Sequence, residues 1–499
     1  GGGSLAAHGF GQLTGRPAAV FVSRGPGATN ASIGLHAAYQ DSIPLVMFVG
    51  HVRSHMIGRE AFQEIDHATT FKSMAKAVFV PSTPEEMISM AKEAIELSMD
   101  KRPGPVVVVM PRDFGDAEID FSASSEKQNS QTGCNTEISQ KCDDFVKALK
   151  NSKFPLIIAG ELARQKKGRS ALLHFANKLS APVLAAYRCQ DVIDNYDEHY
   201  AGHLEINPVK YQDSLIANAD FIVVIGSRLD GITSREETLL SGKSWAHIHE
   251  EKLVLERFDA KFKLTASVTS ALSYITNKLD EPKKETVAWR DDAHESYIKF
   301  SSPGSYPVFG AVDLSIIADQ ARKRLPDNAV IITDGGSYAR WIHRFFKFKA
   351  PLTQGGSASG AMGAAVPGSI GASLSTNDGR PVIAFCGDGG FMMTGQELST
   401  AVRENIPVKI IVCDNNVHGS IIKGQLDKYG ASNAFATVME SPDFVKIAEG
   451  YGAAVWKVKS TATWDRSFAQ ALDHNGPALI HIKFDPRDIA PYGNEKDAV

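Results

Sequence analysis

Residues 386–420 decide the fold: CGDGGFMMTGQELSTAVRENIPVKIIVCDNNVHGS. The apolar run 382–386 is typical of a strand buried on both faces, and the glycines that follow it predict a tight turn. The pattern at 394–404 predicts a helix, which Pro407 should end because proline has no N–H and disfavours helix in the residue before it. A second buried strand is then expected at 408–413.

One polar residue follows each of these two strands: Asp388 the first and Asn415 the second. In a parallel sheet, ligands bind beyond the carboxyl ends of the strands, so we expect the two side chains to lie close together. Each offers one oxygen. With the backbone carbonyl of Val417 and the oxygens of a diphosphate, they would complete an octahedral Mg²⁺ shell. The sequence therefore predicts a metal site formed by Asp388, Asn415 and Val417.

Length and composition limit the number of domains, the classes of partner and the location that can be expected. At 499 residues the chain exceeds one ordinary core, so about three domains are expected. A net charge of −4 gives no case for nucleic acid or a membrane surface as partner. The five cysteines lack metal-site spacing and favour reduced thiols. No apolar run is long enough to span a membrane and no signal peptide is recognisable, so a cytoplasmic location is expected by default.

Several short sequence motifs along the chain resemble those of a known family. The GDG at 387–389 is followed by an asparagine 27 positions after its aspartate, which resembles the magnesium–thiamine diphosphate motif. SRGPGATN at 23–30, AFQE at 61–64, RPGPVVVVMPRD at 102–113 and GAMGAAVPG at 360–368 extend the similarity over nearly the whole chain. The chain resembles the thiamine diphosphate-dependent enzymes, in their acetolactate (acetohydroxyacid) synthase-like branch. The alternative, a nicotinamide-binding dehydrogenase, lacks support because no GxGxxG follows the first strand of the middle region.

The resemblance implies an α/β fold with three Rossmann-like or flavodoxin-like parallel-sheet domains. They would be a pyrimidine-binding domain at 1–121, a central domain at 140–282 and a diphosphate-binding domain at 306–490. The polar segments 122–141 and 281–305 are expected to link them. The first domain is expected to be N-terminally incomplete, because the glutamate that protonates the aminopyrimidine ring in relatives would stand just before Gly1.

The resemblance also implies the site residues. Those expected to bind the cofactor are Pro26, Gly335, Gly336, Ser337, Tyr338, Gly360, Met362, Gly387, Asp388, Gly389, Gly390, Asn415, Val417, His418, Gly419 and Ser420. Phe62, Gln63, Met362 and His418 are the candidate catalytic residues, and Phe62, Gln63 and Arg112 are expected to contact the substrate.

Each of these roles has a structural alternative. Met362 would wedge the cofactor into a bent conformation, or would only fill the core. Arg112 could hold a carboxylate with its planar fork or form an ordinary salt bridge. Gln63 could serve a turn, and His418 could face solvent.

The implied reaction is decarboxylation of a small-molecule 2-oxo acid such as pyruvate, with ligation of the product to a second carbonyl. Alternatives are a non-carboligating decarboxylase, a 2-hydroxyacyl lyase, or a catalytically impaired relative without the activating glutamate. Ser420 and Gly424 stand where acetohydroxyacid synthases carry a methionine and a tryptophan, and both replacements open the substrate pocket.

Thiamine diphosphate and Mg²⁺ are the implied cofactors. FAD is left open: Gly160, Arg228 and Leu229 lie at plausible strand ends of the central domain, but a purely structural domain is an equal alternative. A homodimer or homotetramer is expected, with the site between subunits.

Overall fold

The computed structural model describes residues 1–119, 136–376 and 379–491. It contains three sheets in which every strand pair is parallel. The first sheet has four strands in the order β1-β2-β4-β3, and the other two have six each, in the orders β10-β9-β8-β5-β6-β7 and β12-β11-β13-β14-β16-β15. Three parallel-sheet α/β units were predicted, and the architecture is confirmed.

The first unit alternates strands and helices. Its elements are α1 (Gly2–Thr14), β1 (Ala18–Ser23), α2 (Arg24–Asp41), β2 (Leu45–His51), α3 (His67–Phe71), β3 (Ala77–Phe79), α4 (Pro84–Met99) and β4 (Pro105–Pro111).

The second unit is built around β5 and β8, every residue of which is buried, as parallel strands covered on both faces require. Its elements are α5 (Thr136–Asn151), β5 (Pro155–Ala159), α6 (Lys166–Leu179), β6 (Val183–Ala185), β7 (Tyr200–His203), α7 (Lys210–Asn218), β8 (Phe221–Ile225), β9 (Trp245–His249), α8 (Lys252–Glu256), β10 (Phe262–Thr265), α9 (Val268–Thr276) and α10 (Lys284–Phe300).

The third unit contains residues 386–420, with the GDG sequence at 387–389. Its elements are α11 (Leu314–Arg324), β11 (Val330–Thr333), α12 (Ala339–Phe345), β12 (Gln354–Gly355), α13 (Ala365–Ser375), β13 (Val382–Gly387), α14 (Asp388–Thr394), α15 (Glu397–Arg403), β14 (Lys409–Asp414), α16 (Gly419–Tyr429), α17 (Phe444–Tyr451), β15 (Ala454–Val458), α18 (Thr461–Asp473) and β16 (Ala478–Lys483).

Helices α1 and α13 join the first unit to the third through close backbone contact. A Cβ added at Gly9 would lie 2.3 Å from the carbonyl oxygen of Gly368, and one added at Gly371 would lie 1.8 Å from that of Ala6. Only glycine lets the two helices approach this closely. The contact fixes the position of the loop that precedes α13, which borders the candidate site.

Two local predictions were wrong, and a third falls largely outside the described residues. The glycines at 387–390 do not form a turn before a later helix, because α14 begins directly at Asp388 and a separate helix, α15, follows. The predicted linker 281–305 contains α10, which packs on β7 and buries Ala293 and Tyr297, four residues apart on one helix face. The predicted linker 122–141 lies outside the described residues up to 135, and 136–141 begin α5.

The described part of the chain has no helix long and apolar enough to cross a membrane.

Candidate active site

A cavity of about 220 Å³ lies at the carboxyl ends of β11, β13 and β14. Every residue predicted to bind the cofactor, except Pro26, lines it. The strands explain this convergence: β13 lies between β11 and β14, so the three loops that follow these strands meet at one edge of the sheet. The residues that line it are Gly335, Gly336, Ser337, Tyr338, Gly360, Met362, Gly387, Asp388, Gly389, Gly390, Cys413, Asn415, Val417, His418, Gly419, Ser420 and Ile421.

Asp388 is held in place by backbone N–H groups of two loops. Its Oδ1 accepts a hydrogen bond from the N–H of Gly389 at 2.8 Å, and its Oδ2 accepts one from the N–H of Asn416 at 2.9 Å. The same Asn416 N–H lies 3.1 Å from Oδ1 of Asp414. Asn415 folds back locally, since its Oδ1 lies 3.4 Å from the N–H of Val417. Asp388, Asn415 and Val417 therefore face one cavity.

The electrostatics of the site favour a cation. Burial raises the pKa of Asp388 to about 6, and the neighbouring Asp414 adds to this effect. Burial also opposes ionisation of Asp414, yet His481 and Lys483, at 2.9 and 3.0 Å from its Oδ2, hold its pKa below the usual range. Of the two neighbouring carboxyl groups, Asp414 already has a cationic partner in Lys483. Asp388 is the carboxyl that a bound cation would stabilise.

The donor set fits magnesium only with help from a ligand. The described residues include no group of three or more His, Cys, Asp or Glu side chains that could hold a metal ion. A metal at Asp388 would therefore depend on the amide oxygen of Asn415, a backbone carbonyl and oxygens of the cofactor. Hard oxygen donors of this kind suit Mg²⁺, which is usually bound by one or two carboxylates and substrate phosphates.

Close contacts cross the cavity at three glycines, and at Gly335 the neighbour is backbone. A Cβ on Gly335 would lie 2.1 Å from the carbonyl oxygen of Gly360, and a Cβ on Gly419 would lie 2.1 Å from Oγ of Ser337. At Gly389, a Cβ would lie 3.1 Å from Cε of Met362 and 3.3 Å from Cε1 of His418. The cavity is thus narrow where these residues meet and exposes backbone on its walls.

Asp334 supports the loop that carries Gly360 and Met362. Its Oδ1 accepts hydrogen bonds from the N–H groups of Ala364 and Ala365, at 2.6 and 3.1 Å, where α13 begins. The carboxyl is fully buried, and burial raises its pKa to about 6 despite these bonds. Asp334 therefore fixes one wall of the cavity from behind.

Four predicted site residues are not brought to this cavity within one chain: Pro26, Phe62, Gln63 and Arg112. All four lie exposed on the first unit. Phe62 is 76% exposed, and its carbonyl accepts a hydrogen bond from Nη1 of Arg24 at 3.0 Å. Gln63, whose carbonyl accepts from Gly25 N, has a positive φ of 64°, which fits the turn role considered for it. Their predicted contacts would have to come from another subunit.

Sequence reasoning missed three residues of the site. Cys413 and Ile421 line the cavity, and Asp414 contacts Asp388 through the shared N–H of Asn416. Cys413 is the last but one residue of a buried strand, a position that carries no chemical signal. Asp414 stands in the run DNN, but its partners His481 and Lys483 are distant in sequence.

Two of the residues considered for FAD, Gly160 and Arg228, make backbone contacts within the central unit. A Cβ on Gly160 would lie 2.5 Å from Cα of Ser227, so the glycine is required where the ends of β5 and β8 meet. The backbone N–H of Arg228 donates to Oε1 of Glu161 at 3.0 Å, and its carbonyl accepts from Nη2 of Arg257 at 3.1 Å. FAD binding stays a prediction that nothing here tests.

Comparison with known families agrees with the sheets and the cavity. Three family models match the chain: the N-terminal binding domain of thiamine pyrophosphate enzymes over residues 1–70, their central domain over 142–275 and their C-terminal binding domain over 334–482. Each falls on a different one of the three sheets, in the same order. The chain belongs to the thiamine pyrophosphate enzyme family.

Curated relatives narrow the class. The chain is 28% identical to the probable acetolactate synthase large subunit of Methanococcus aeolicus, an alignment covering 96% of this chain and 84% of that protein. It is 27% identical to the acetolactate synthase isozyme 2 large subunit of Escherichia coli K12, over 97% and 87%, and 25% identical to the acetolactate synthase large subunit of Porphyra purpurea, over 96% and 82%. It is a thiamine diphosphate-dependent enzyme of the acetolactate synthase-like type.

Proposed function

We propose that the protein uses thiamine diphosphate and Mg²⁺ to decarboxylate a 2-oxo acid such as pyruvate and to ligate the remaining carbons to a second carbonyl. The observation that carries the proposal is the cavity at the ends of β11, β13 and β14, where Asp388 and Asn415 face three glycine-containing loops. Family membership supplies the cofactor, and relatives named as acetolactate synthases suggest the reaction.

The chain's own residues would bind and orient the cofactor. Asp388, Asn415 and the carbonyl of Val417 would hold Mg²⁺ with the diphosphate, because each presents a hard oxygen to the cavity. N–H groups at Gly336, Ser337 and Gly419 are candidates to donate to diphosphate oxygens.

The other cavity residues would place the reacting groups. Met362 would support the cofactor between its two rings, and His418 would offer a polar group near them, since both lie against Gly389. When bound, thiamine diphosphate supplies the electron sink that decarboxylation needs. In the net reaction the C1–C2 bond of pyruvate breaks, its electron pair forms the new C–C bond as CO₂ leaves, and the acceptor's carbonyl oxygen takes a proton.

A homodimer or homotetramer is part of the proposal. Phe62, Met392, Met393 and Ile421 are exposed by 76, 55, 58 and 59%, although all four are large and apolar. Ile421 lines the cavity, and Met393 packs beside Gly363 at its edge. A second copy that covered them could bring Phe62 and Gln63 to the cavity.

A cytoplasmic location belongs to the same proposal. It is supported by the cysteines, since the four that lie in the described residues are buried and unpaired.

The test is pyruvate consumption by the purified protein with thiamine diphosphate and Mg²⁺, each omitted in turn, with product analysis. A hydroxyketone or acetolactate-like product supports carboligation, whereas acetaldehyde alone supports the decarboxylase alternative. Cofactor binding without any turnover would favour the impaired relative, and pyruvate consumption that needs neither cofactor would contradict the proposal.

A further inference from the structure

A second cavity, of about 420 Å³, opens from the first. The two share Gly335, Gly336, Ser337, Gly360 and Ser420. The second cavity extends between the end of β7 and the helix α16. At Gly424 on α16 a Cβ would meet no atom within 4 Å, so this wall leaves room for a ligand.

Two buried polar atoms that line this second cavity lie close to each other, and neither has a hydrogen-bond partner among the described residues. Nε2 of His203 and Oε1 of Glu205 are both buried and unpartnered. They lie 3.7 Å apart, which is too far for a hydrogen bond but close enough for one oxygen atom to contact both. The side chains are only 4% and 10% exposed. A buried unpaired polar group is costly, so this pair indicates a binding site for a polar group.

The neighbouring charged side chains already have partners. Arg188 donates to the carbonyl oxygens of Thr333 and Asp334, at 3.2 and 2.8 Å. Lys423 pairs with Asp427 one helical turn away. Nη2 of Arg340 lies 3.9 Å from the other carboxyl oxygen of Glu205 and leaves Oε1 unpaired.

We propose that the cavity beside the cofactor site receives a hydroxyl-bearing carbonyl acceptor, with one hydroxyl held between Glu205 and His203. The inference rests on the proposed carboligation and names the substrate class for it. A hydroxyl both donates and accepts, so it can donate to Oε1 of Glu205 and accept from Nε2–H of His203. Burial lowers the pKa of His203 to about 3, so its ring is neutral and offers one N–H. An alkyl acceptor would leave both groups unpaired.

Binding is tested without turnover, by saturation-transfer NMR on protein loaded with thiamine diphosphate and Mg²⁺ in the absence of pyruvate. D-glyceraldehyde is the probe, and propanal is the matched aldehyde of the same carbon chain without hydroxyls. We expect glyceraldehyde to bind at least about tenfold more tightly than propanal, because only glyceraldehyde can form the two buried hydrogen bonds. The advantage should fall by at least about threefold in Glu205→Gln and in His203→Gln, which is half of a tenfold effect on a logarithmic scale.

The matched control is Glu198→Gln. Glu198 belongs to the same unit but does not line the cavity, and its carboxylate lies 2.7 Å from Nη1 of Arg290. It should keep the wild-type preference. The steady-state counterpart is the ratio of kcat/KM for ligating pyruvate to the two aldehydes, in which the loss in the Glu205 and His203 variants should appear in KM for glyceraldehyde.

The inference is overturned if wild-type protein binds propanal as tightly as glyceraldehyde, or if both variants keep the preference. Melting temperatures check that both variants fold. If either Glu205→Gln or His203→Gln does not fold, the other variant decides whether the preference for glyceraldehyde is lost. Wild-type pyruvate consumption is measured separately: its absence contradicts the proposed function, whereas the NMR result still decides the acceptor site.

Discussion

The carboxylate of Asp388 accepts a hydrogen bond from the backbone N–H of Asn416 across 2.9 Å. Asp388 follows β13 and Asn416 follows β14, so this bond ties together the loops after two adjacent strands. Asn416 itself has a positive φ of 60°, which turns the chain back toward the cavity. The carboxylate therefore orders the loop that presents Asn415 and Val417, besides offering an oxygen of its own.

The first prediction concerns the charge of Asp388. Asp388→Asn keeps an oxygen that can accept from Gly389 or Asn416 but removes the negative charge that a divalent cation needs. We expect Mg²⁺-dependent binding of thiamine diphosphate to weaken by at least about 100-fold, since even residues one layer beyond the metal cost 10- to 100-fold. Isothermal titration calorimetry measures it.

Asp485→Asn is the matched control, because this half-buried carboxylate pairs with Arg487 at 2.8 Å and does not line the cavity. It should bind the cofactor like the wild type. Wild-type affinity in Asp388→Asn would show that this carboxylate does not hold the metal.

The second prediction concerns the contact of α1 with α13. In Gly371→Ala the new Cβ would lie 1.8 Å from the carbonyl oxygen of Ala6, and backbone atoms on both sides cannot yield easily. We expect the free energy of unfolding to fall by about 1–3 kcal/mol, as for other overpacked sites. Urea denaturation of the cofactor-free protein measures the change.

Gly450→Ala provides the comparison on helix α17. Gly450 is exposed, and a Cβ there meets nothing within 4 Å. This substitution should raise the free energy of unfolding by up to about 1 kcal/mol, the helix propensity gained by alanine over glycine. Equal effects of the two substitutions would contradict the close helix contact.

The third prediction concerns pH and His247. Burial lowers the pKa of this histidine to about 4, with smaller contributions from Arg257 and Lys263, although the hydrogen bond between its Nε2 and the carbonyl of Ser227 at 2.8 Å acts the other way. Its Nδ1 is buried with no partner among the described residues, so protonation would add an unpaired N–H.

Because the folded pKa lies below the unfolded value of 6.5, the unfolded chain binds the proton more readily. The stabilising contribution of His247 is complete above pH 6.5 and is lost as the pH falls toward 4. Between these values one proton changes the free energy of unfolding by about 1.4 kcal/mol per pH unit. His247→Gln should remove that much of the slope. An unchanged slope in His247→Gln would refute the assignment.

The fourth prediction concerns assembly. Sedimentation velocity should give a mass of at least twice 53.9 kDa for this chain, because Met392, Met393 and Ile421 are exposed although they are large and apolar, and Ile421 lines the cavity. Met392→Glu should shift the protein toward monomer and should also reduce pyruvate consumption. The reason is that burial of exposed apolar side chains is proposed to drive association. Leu253→Glu, at a residue 69% exposed on the middle unit, is the control. A wild-type monomer would contradict the shared site.

The strands and loops that depend on local sequence pattern were mostly predicted. Apolar runs located β5, β8, β13 and β14, and the rule that ligands bind at carboxyl ends brought Asp388 and Asn415 to one cavity. Segment 284–300 was misread because its polar composition hides the few residues, Ala293 and Tyr297 among them, that one helix face buries on β7.

Contacts between distant segments could not be predicted from one sequence. His481 and Lys483, on β16, hydrogen-bond to Asp414, and His203 and Glu205, at and beyond the end of β7, line a cavity together with residues of the third unit. Nothing in their own neighbourhoods indicates these partners. The resemblance named Phe62 and Gln63, but in this chain both lie exposed on the first unit and do not line the cavity.

The central claim is that the Asp388–Asn415 cavity binds thiamine diphosphate through a divalent cation. The most direct measurement is a calorimetric titration of thiamine diphosphate into the wild-type protein, with Mg²⁺ present and with Mg²⁺ removed by chelation. We expect saturable binding of one cofactor per chain that requires Mg²⁺ and is lost in Asp388→Asn. Binding that is equally tight without the metal, or no binding at all, would contradict it.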